Sequence, residues 1–247
     1  MAIDTDNTVT VSKVGNNLVA RRGLVDVITP TPLEDVTSLT ITGGTAKDTV
    51  VLNASLNSAG NPATKKFTGQ IVVNGNEGDD KLDAGKITVA TFGIIFNGGA
   101  NNDFAIGGSG NDILIGGDGN DIIKGGAGQD SIDGGDGNDK LRGGDGDDTV
   151  FGGLGTDLLS GDAGLDILNG NDGNDSILGG IGNDQLFGGI GNDQLFGQDG
   201  NDLLAGGADV DSLSGGAGTN TTPDFAAGFD TIGAFSTELT ALLAALP

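Results

Sequence analysis

The chain has 247 residues, with 49 glycines, 36% hydrophobic residues and a formal net charge of -24. This composition argues against a globule with one thick core, and the negative charge argues against nucleic acid as a partner, since phosphate binding needs a basic surface. The chain has no Cys, His or Trp, which excludes disulfides, soft-metal sites and catalysis by a thiol or an imidazole. Carboxylates are the abundant reactive groups that remain.

The N-terminal residues, beginning Met1-Ala2-Ile3, lack the basic and apolar regions of a cleaved signal peptide. No apolar stretch approaches the length that spans a membrane, so we expect no membrane insertion. If the protein leaves the cell, we expect the export route to read another part of the chain.

Residues 1–37 show strand-like alternation at 8–11 and 24–27, closed by Pro30 and Pro32. We interpret this stretch as an N-terminal β cap or an assembly segment.

Residues 38–97 carry looser turn signals behind apolar strand ends. They predict irregular, longer solenoid coils that begin near Leu39, with extra residues looping out at 52–70 and 84–93. The aspartates that follow three successive turns at the same offset are Asp48, Asp80 and Asp103.

A nine-residue unit then repeats thirteen times from Gly98 to Ser214 without insertion or deletion, and a degenerate copy opens at Gly215. A typical unit, at 116–124, reads Gly-Gly-Asp-Gly-Asn-Asp-Ile-Ile-Lys. The sixth position is always Asp: Asp103, Asp112, Asp121, Asp130, Asp139, Asp148, Asp157, Asp166, Asp175, Asp184, Asp193, Asp202 and Asp211. The eighth position is always apolar: Ala105, Leu114, Ile123, Ile132, Leu141, Val150, Leu159, Leu168, Ile177, Leu186, Leu195, Leu204 and Leu213. We therefore expect each repeat to direct one apolar side chain, that of its eighth residue, into the core.

The unit matches Gly-Gly-x-Gly-x-Asp-x-U-x, with U apolar, and the chain thereby resembles the repeats-in-toxin (RTX) family of calcium-binding nonapeptide repeats. The resemblance implies an all-β fold, a right-handed parallel β-roll or β-solenoid, over the array at 98–220. In that family each repeat forms a turn of six residues and a strand of three, two repeats make one coil, and calcium lies between stacked turns.

The residue types also favour calcium, which takes six to eight oxygen ligands from carboxylates and carbonyls. Asp is short enough to bind at its own turn, and glycine at the first, second and fourth positions allows positive φ that turns carbonyls inward. The candidate ligands for several Ca²⁺ ions are Asp80 and the thirteen repeat aspartates, together with Gly108, Gly110, Gly117, Gly119, Gly126, Gly128, Gly135, Gly137, Gly144, Gly146, Gly153, Gly155, Gly180, Gly182, Gly189 and Gly191.

Five repeats depart from the glycine pattern. The fourth position is Asn101 or Asp209 in two of them, and the second position is Asp162, Asn171 or Gln198 in the other three. We expect the sites near Asn101 and Asp209 to be the first that are weakened.

Coils stacked about 4.8 Å apart bury each apolar residue between two others, which makes a thin core. We therefore expect the calcium-free protein to be largely disordered near neutral pH, and calcium to supply most of the folding free energy. Extracellular calcium modules bind at about 10⁻⁴ to 10⁻³ M, so the chain would fold after export.

The outward strand positions predict two apolar stripes. The residues of one stripe are Ile113, Ile115, Phe151, Ile167, Phe187 and Leu203, and those of the other are Phe104, Ile106, Leu158, Leu178 and Phe196. Isolated exposed apolar residues are ordinary on any surface, whereas contiguous stripes usually mark an interface. The sequence leaves open whether these stripes are ordinary exposed residues or an interface.

Residues 221–247 predict a short C-terminal helix, which Ser236 or Thr237 could cap. The apolar face of that helix comprises Leu239, Leu242, Leu243 and Leu246. We interpret the segment either as a solenoid cap or as part of an uncleaved secretion signal. The family resemblance favours export by a type I route.

The sequence therefore predicts a secreted or cell-surface, calcium-folded structural protein that self-assembles as a homo-oligomer, filament or matrix. The alternative is a calcium-dependent adhesion or glycan-binding module with a cell-surface polysaccharide as partner. An enzyme is not expected, because the 97 residues before the strict array contain no metal-ligand histidine and no nucleophile elbow.

Overall fold

The computed structural model describes residues 8–14, 17–22, 25–26, 31–32, 38–52, 70–88, 92–222 and 231–232. Within these ranges the regular structure is β-strand, and no helix suited to crossing a membrane is found there. The predicted C-terminal helix lies outside the described residues.

The strands are β1 (Thr8–Val14), β2 (Asn17–Arg22), β3 (Val25–Asp26), β4 (Thr31–Pro32), β5 (Ser38–Thr42), β6 (Thr49–Leu52), β7 (Gln70–Glu77), β8 (Lys81–Asp83), β9 (Ile94–Ala100), β10 (Phe104–Ser109), β11 (Ile113–Asp118), β12 (Ile122–Ala127), β13 (Ser131–Asp136), β14 (Lys140–Asp145), β15 (Thr149–Leu154), β16 (Leu158–Ala163), β17 (Ile167–Asp172), β18 (Ser176–Ile181), β19 (Gln185–Ile190), β20 (Gln194–Asp199), β21 (Leu203–Ala208), β22 (Ser212–Ser214) and β23 (Thr231–Ile232).

Consecutive strands alternate between two parallel sheets. The even sheet runs β22-β20-β18-β16-β14-β12-β10-β8-β6, and the odd sheet runs β21-β19-β17-β15-β13-β11-β9-β7-β5. Each strand of the array pairs with the strand two repeats later, as Ile113 does with Ser131. The chain thus forms a parallel β-solenoid, in which the fourteen strands from β9 to β22 make about seven turns, and this confirms the predicted fold class.

The strands of the array are longer than the family resemblance implies. Each strand takes the last three residues of one repeat and the first three of the next, so that Gly117 pairs with Gly135 inside the ladder. Only the fourth to sixth residues form the corner between the two sheets. The glycines extend the strands because their backbones still pair with the coils on either side.

Extra strands lie at both ends of the even sheet. β1 pairs in parallel with β6 and antiparallel with β2, while β23 pairs with β22. Of the two expected loops, most of the first lies outside the described residues. The second is not a free loop, because Ala84, Ile87 and Phe92 are buried in the solenoid core.

The core is a single column of apolar side chains between the sheets. Every eighth-position residue of the array is buried, from Ala105 to Leu213, and Ile71, Leu82 and Phe96 continue the column toward the N-terminus. The predicted inward residue of each repeat is therefore confirmed.

The outward faces of the two sheets differ in exposure. On the odd sheet, Ile113 and Phe151 are 43% and 37% exposed. On the even sheet, Leu158, Leu178 and Phe196 are buried, being 7%, 2% and 3% exposed. The strand register aligns the predicted stripe of the even sheet, but its residues on β16, β18 and β20 are buried. Of the two predicted stripes, the one on the odd sheet carries the exposed residues.

Candidate metal centre

The predicted aspartates form two columns, one along each row of corners. The odd corner column follows the odd-sheet strands and contains Asp48, Asp80, Asp103, Asp121, Asp139, Asp157, Asp175, Asp193 and Asp211. The even corner column follows the even-sheet strands and contains Asp112, Asp130, Asp148, Asp166, Asp184 and Asp202. All of these aspartates except Asp48 are at most 3% exposed. The fold thus places the predicted residues in two buried lines.

A ladder of hydrogen bonds holds each aspartate in place. The backbone N–H of Asp103 donates to Oδ1 of Asp121 at 2.6 Å, and that of Asp121 donates to Oδ1 of Asp139 at 2.7 Å. The carbonyl oxygen of Asp121 accepts from the N–H of Lys140 at 2.9 Å. The peptide groups and one carboxylate oxygen are therefore satisfied by the neighbouring coils.

The second carboxylate oxygen, Oδ2, is buried and has no hydrogen-bond partner among the described residues. The residues that share this feature are Asp80, Asp103, Asp112, Asp121, Asp130, Asp139, Asp148, Asp157, Asp166, Asp175, Asp184, Asp193 and Asp202. A buried acceptor without a partner costs about 1–3 kcal/mol, and more when it is charged. A row of such oxygens fits a set of bound cations.

The first-position glycines make room for this oxygen. A Cβ on Gly116 would lie 2.1 Å from Oδ2 of Asp121 and 2.5 Å from the carbonyl oxygen of Gly134. Positive φ is found at the second and fourth positions, as at Gly117 and Gly119, and not at the first. The expectation of positive φ at the first position is therefore wrong, and the reason for glycine there is steric.

The glycines predicted to turn their carbonyls inward all have positive φ: Gly108, Gly110, Gly117, Gly119, Gly126, Gly128, Gly135, Gly137, Gly144, Gly146, Gly153, Gly155, Gly180, Gly182, Gly189 and Gly191. Among the described residues, no backbone N–H donates to a fourth-position carbonyl such as that of Gly119. The departures from glycine keep the left-handed backbone, with φ values of 80° at Asn101 and 79° at Asp209. The corner conformation is thus preserved throughout the array.

Comparison with protein families decides which cation this arrangement serves. A family model described as RTX calcium-binding nonapeptide repeat (4 copies) matches residues 72–86, 97–132, 125–159, 151–186, 160–195 and 187–221. The chain belongs to this RTX repeat family. A comparison with curated proteins found no match. Membership implies that calcium is the cation, and RTX solenoids are typically structural and secreted rather than enzymatic.

The donor set of this RTX protein suits calcium, which prefers carboxylate and carbonyl oxygens. Among the described residues, no three acidic side chains converge on one point. A cation in a corner would therefore depend on backbone carbonyls for part of its coordination shell, in addition to the Oδ2 atoms of the corner column.

Burial raises the pKa of the corner aspartates from Asp80 to Asp202 in this RTX protein. Desolvation is the main cause at Asp148, and the neighbouring charges of Asp130 and Asp166 add to it, although the hydrogen bond from the Asp130 backbone lowers the pKa. The pKa is about 6 at Asp121, Asp130, Asp157, Asp175 and Asp184, about 7 at Asp103, Asp112, Asp139, Asp166 and Asp193, and about 8 at Asp148. The protein without a cation therefore holds a line of carboxyl groups that resist ionisation.

The even corner column of the RTX roll has uncharged neighbours at both ends. At the N-terminal end, the backbone N–H of Ile94 donates to Oδ1 of Asp112 at 2.7 Å. At the C-terminal end, the N–H of Asp202 donates to Oδ1 of Asn220 at 2.8 Å. Ile94 and Asn220 occupy the aspartate position without a carboxylate, so the column of charged ligands is bounded by these residues.

A second ladder, at the fifth position of the RTX repeat, was missed by the sequence analysis. The N–H of Asn120 donates to Oδ1 of Asn102 at 2.7 Å, and the N–H of Asn138 donates to Oδ1 of Asn120 at 2.8 Å. These side chains reach toward the C-terminal coil, whereas the aspartates reach toward the N-terminal coil. The recurrence of Asn at the fifth position was the signal that could have revealed the ladder.

Proposed function

We propose that this RTX protein is an extracellular structural protein whose solenoid is folded and held by calcium ions in its two corner columns. The observation that carries the proposal is the row of buried Oδ2 atoms without hydrogen-bond partners among the described residues. Cations between successive coils would supply the missing partner and offset the repulsion along each column.

The proposed ligands of each ion are oxygens from two successive turns of one corner. In the odd column, for example, these are Oδ2 of Asp121 and Asp139 together with carbonyls of second- and fourth-position glycines such as Gly117 and Gly119. Six to eight oxygens are needed, and two carboxylates with several carbonyls approach that number.

Replacing Asp139 by Asn tests the calcium site. We expect Asp139→Asn to lose about one or two bound ions, because one carboxylate serves the sites on both of its sides. Asn keeps the ladder, since Asn220 accepts the N–H of Asp202 at 2.8 Å. The Asp139→Asn roll without calcium should be somewhat more stable than the unmodified apo roll, because a buried charge is removed. Calorimetric calcium titration gives the stoichiometry, and circular dichroism gives the midpoint of folding.

The matched control is Asp136→Asn, in the same repeat. Asp136 is exposed at the third position, so the same change of charge should leave the stoichiometry unchanged. Equal calcium binding by both variants and the unmodified protein would contradict the proposed ligand role of the corner aspartates.

We further propose that the protein self-assembles through the outer face of its odd sheet. Ile113, Phe151 and Ile167 are 43%, 37% and 38% exposed there, and they lie on strands of one sheet. Burying such a stripe against a second copy is favourable at about 25 cal/mol per Å² of apolar surface. Calcium is required, because the strands that align the stripe form only in the folded roll.

Light scattering in millimolar calcium tests the assembly. The protein is expected to form oligomers or larger particles, and the double variant Ile113→Thr/Ile167→Thr is expected to stay smaller at the same concentration. A strictly monomeric protein at high concentration, with full β content, would refute the self-assembly proposal while leaving the calcium sites intact.

We also propose an extracellular location, which the chemistry of calcium binding supports. RTX proteins are typically secreted, and calcium modules outside the cell bind at about 10⁻⁴ to 10⁻³ M, above cytosolic levels. A folding midpoint at micromolar calcium in the titration above would contradict this location. The type I export route remains a prediction, since the side chains of residues 223–247 lie outside the described part of the chain.

A further inference from the structure

The few cations of the array are gathered on one surface. The chain has 11 Lys and Arg residues, and only Lys124, Lys140 and Arg142 fall within the repeats. All three lie on β12 and β14 of the even sheet, at the seventh and ninth repeat positions, which face away from the core. Lys124 and Arg142 are register partners, so they stand on neighbouring strands about 4.8 Å apart.

A groove of about 450 Å³ runs beside this pair. The lining residues Gly108, Gly126 and Gly144 form its floor on β10, β12 and β14. Lys124 and Arg142 line the groove, and so does Asp145. The floor crosses three strands, a distance of roughly 10 Å along the solenoid axis at the usual strand spacing.

The two cations differ in their pairing. Arg142 donates through Nε to Oδ2 of Asp162, and Oδ1 of Asp162 accepts from the hydroxyl of Ser160 at 2.8 Å. Lys124 makes no ion pair with any described residue. Among the described residues, the groove thus has one cation without an ion pair and a second that is partly neutralised by a neighbouring carboxylate.

We propose that this groove binds a linear acidic polysaccharide, with successive carboxylate or sulfate groups on Lys124 and Arg142. Charge-assisted hydrogen bonds to these side chains would fix the anionic groups. Asp145 and Ser109 also line the groove, and the carboxylate and hydroxyl of these residues can bond sugar hydroxyls. A nucleic acid fits less well, because none of the described residues that line the groove is aromatic, so its bases have no side chain on which to stack.

Calcium governs this binding in two ways, and in this respect the inference rests on the proposed function. The groove exists only when β10, β12 and β14 are stacked. The formal net charge of -24 repels any polyanion, and each bound calcium ion adds two positive charges, so that twelve ions would cancel it. Binding of an acidic glycan is therefore expected only in calcium.

The experiment measures binding of labelled hexagalacturonate and of a chondroitin sulfate hexasaccharide, with maltohexaose as the neutral comparison, in millimolar calcium. Lys124→Gln and Arg142→Gln should each weaken binding of the acidic sugars about fivefold to tenfold. Lys140→Gln carries the same change of charge on the same face but lies outside the groove lining, and it should have little effect. Preference for one acidic sugar would distinguish a carboxylate site from a sulfate site.

Asp162→Asn supplies a change in the opposite direction. It frees Arg142 from its ion pair and should tighten binding about threefold or more. The backbone should tolerate the change, because Asn171 has a φ of 70° at the equivalent position, where Asp162 has 75°.

Circular dichroism of each variant in calcium separates the two proposals. A folded roll that does not bind either acidic sugar, binds maltohexaose equally, prefers an oligonucleotide, or loses as much affinity with Lys140→Gln as with Lys124→Gln would overturn the groove proposal. Failure to fold in calcium would instead contradict the proposed function.

Discussion

Removing calcium at neutral pH should unfold most of the solenoid. With the cations gone, the buried Oδ2 atoms lose their proposed partners, and burial penalises the ionised carboxylates. The remaining core is one apolar side chain per repeat, too thin to balance the conformational entropy of the glycine-rich corners. Far-ultraviolet circular dichroism and amide hydrogen exchange should therefore show loss of the β signal and of protection in a chelator.

Restoring calcium should recover the fold, and magnesium at the same concentration should not. Magnesium requires near-octahedral geometry at about 2.0–2.1 Å and gives up water reluctantly, whereas corner carbonyls suit the longer and more variable bonds of calcium. Full β content in chelator at neutral pH, with protected amides in β12 to β20, would show that the ions are not needed for folding.

Acidifying the metal-free protein should increase its β content. The eleven corner aspartates from Asp103 to Asp193 have folded-state pKa values of about 6 to about 8, against an ordinary value of 3.8. Between about pH 4 and these values the folded state holds more protons than the unfolded state, so its stability falls as the pH rises through this window. The apo roll is therefore expected to be most stable near or below pH 4 and least stable above pH 8.

The calcium-loaded protein should respond in the opposite direction. Protons compete with calcium for the same carboxylates, so the calcium midpoint should rise as the pH falls from 7 toward 5. Circular dichroism across a pH series, with and without calcium, measures both responses. If the metal-free protein stayed equally unfolded from pH 8 to pH 4, the raised pKa values would not govern its stability.

Much of this architecture could be predicted from the repeat. A strict period of nine residues predicts the coil, and the Asp and apolar columns of the sequence predict the corner ligand and the core residue. These features are predictable because each repeat contacts mainly its equivalents two repeats away, so local pattern and tertiary structure coincide.

The features that escaped prediction depend on contacts that the period does not encode. Glycine is required at Gly116 because Oδ2 of Asp121 and the carbonyl oxygen of Gly134 lie where a Cβ would be. Leu158, Leu178 and Phe196 form a buried cluster on the outward face, which the alternation along each strand does not predict. Ile87 lies in an irregular stretch and is buried in the core, although the repeat pattern does not predict this.

Asn220 makes it harder for a second copy of the protein to continue the solenoid at its C-terminal end. It accepts the last rung of the even corner ladder but brings no charge, and β23 continues the even sheet past β22. At the opposite end, Oδ2 of Asp48 is already engaged by the N–H of Gly44 at 2.8 Å, and β1 shields β6. A second molecule docked on β6 or β22 would therefore meet strands that are already paired and acceptors that are already bonded, which favours lateral contacts over end-to-end contacts at the even sheet.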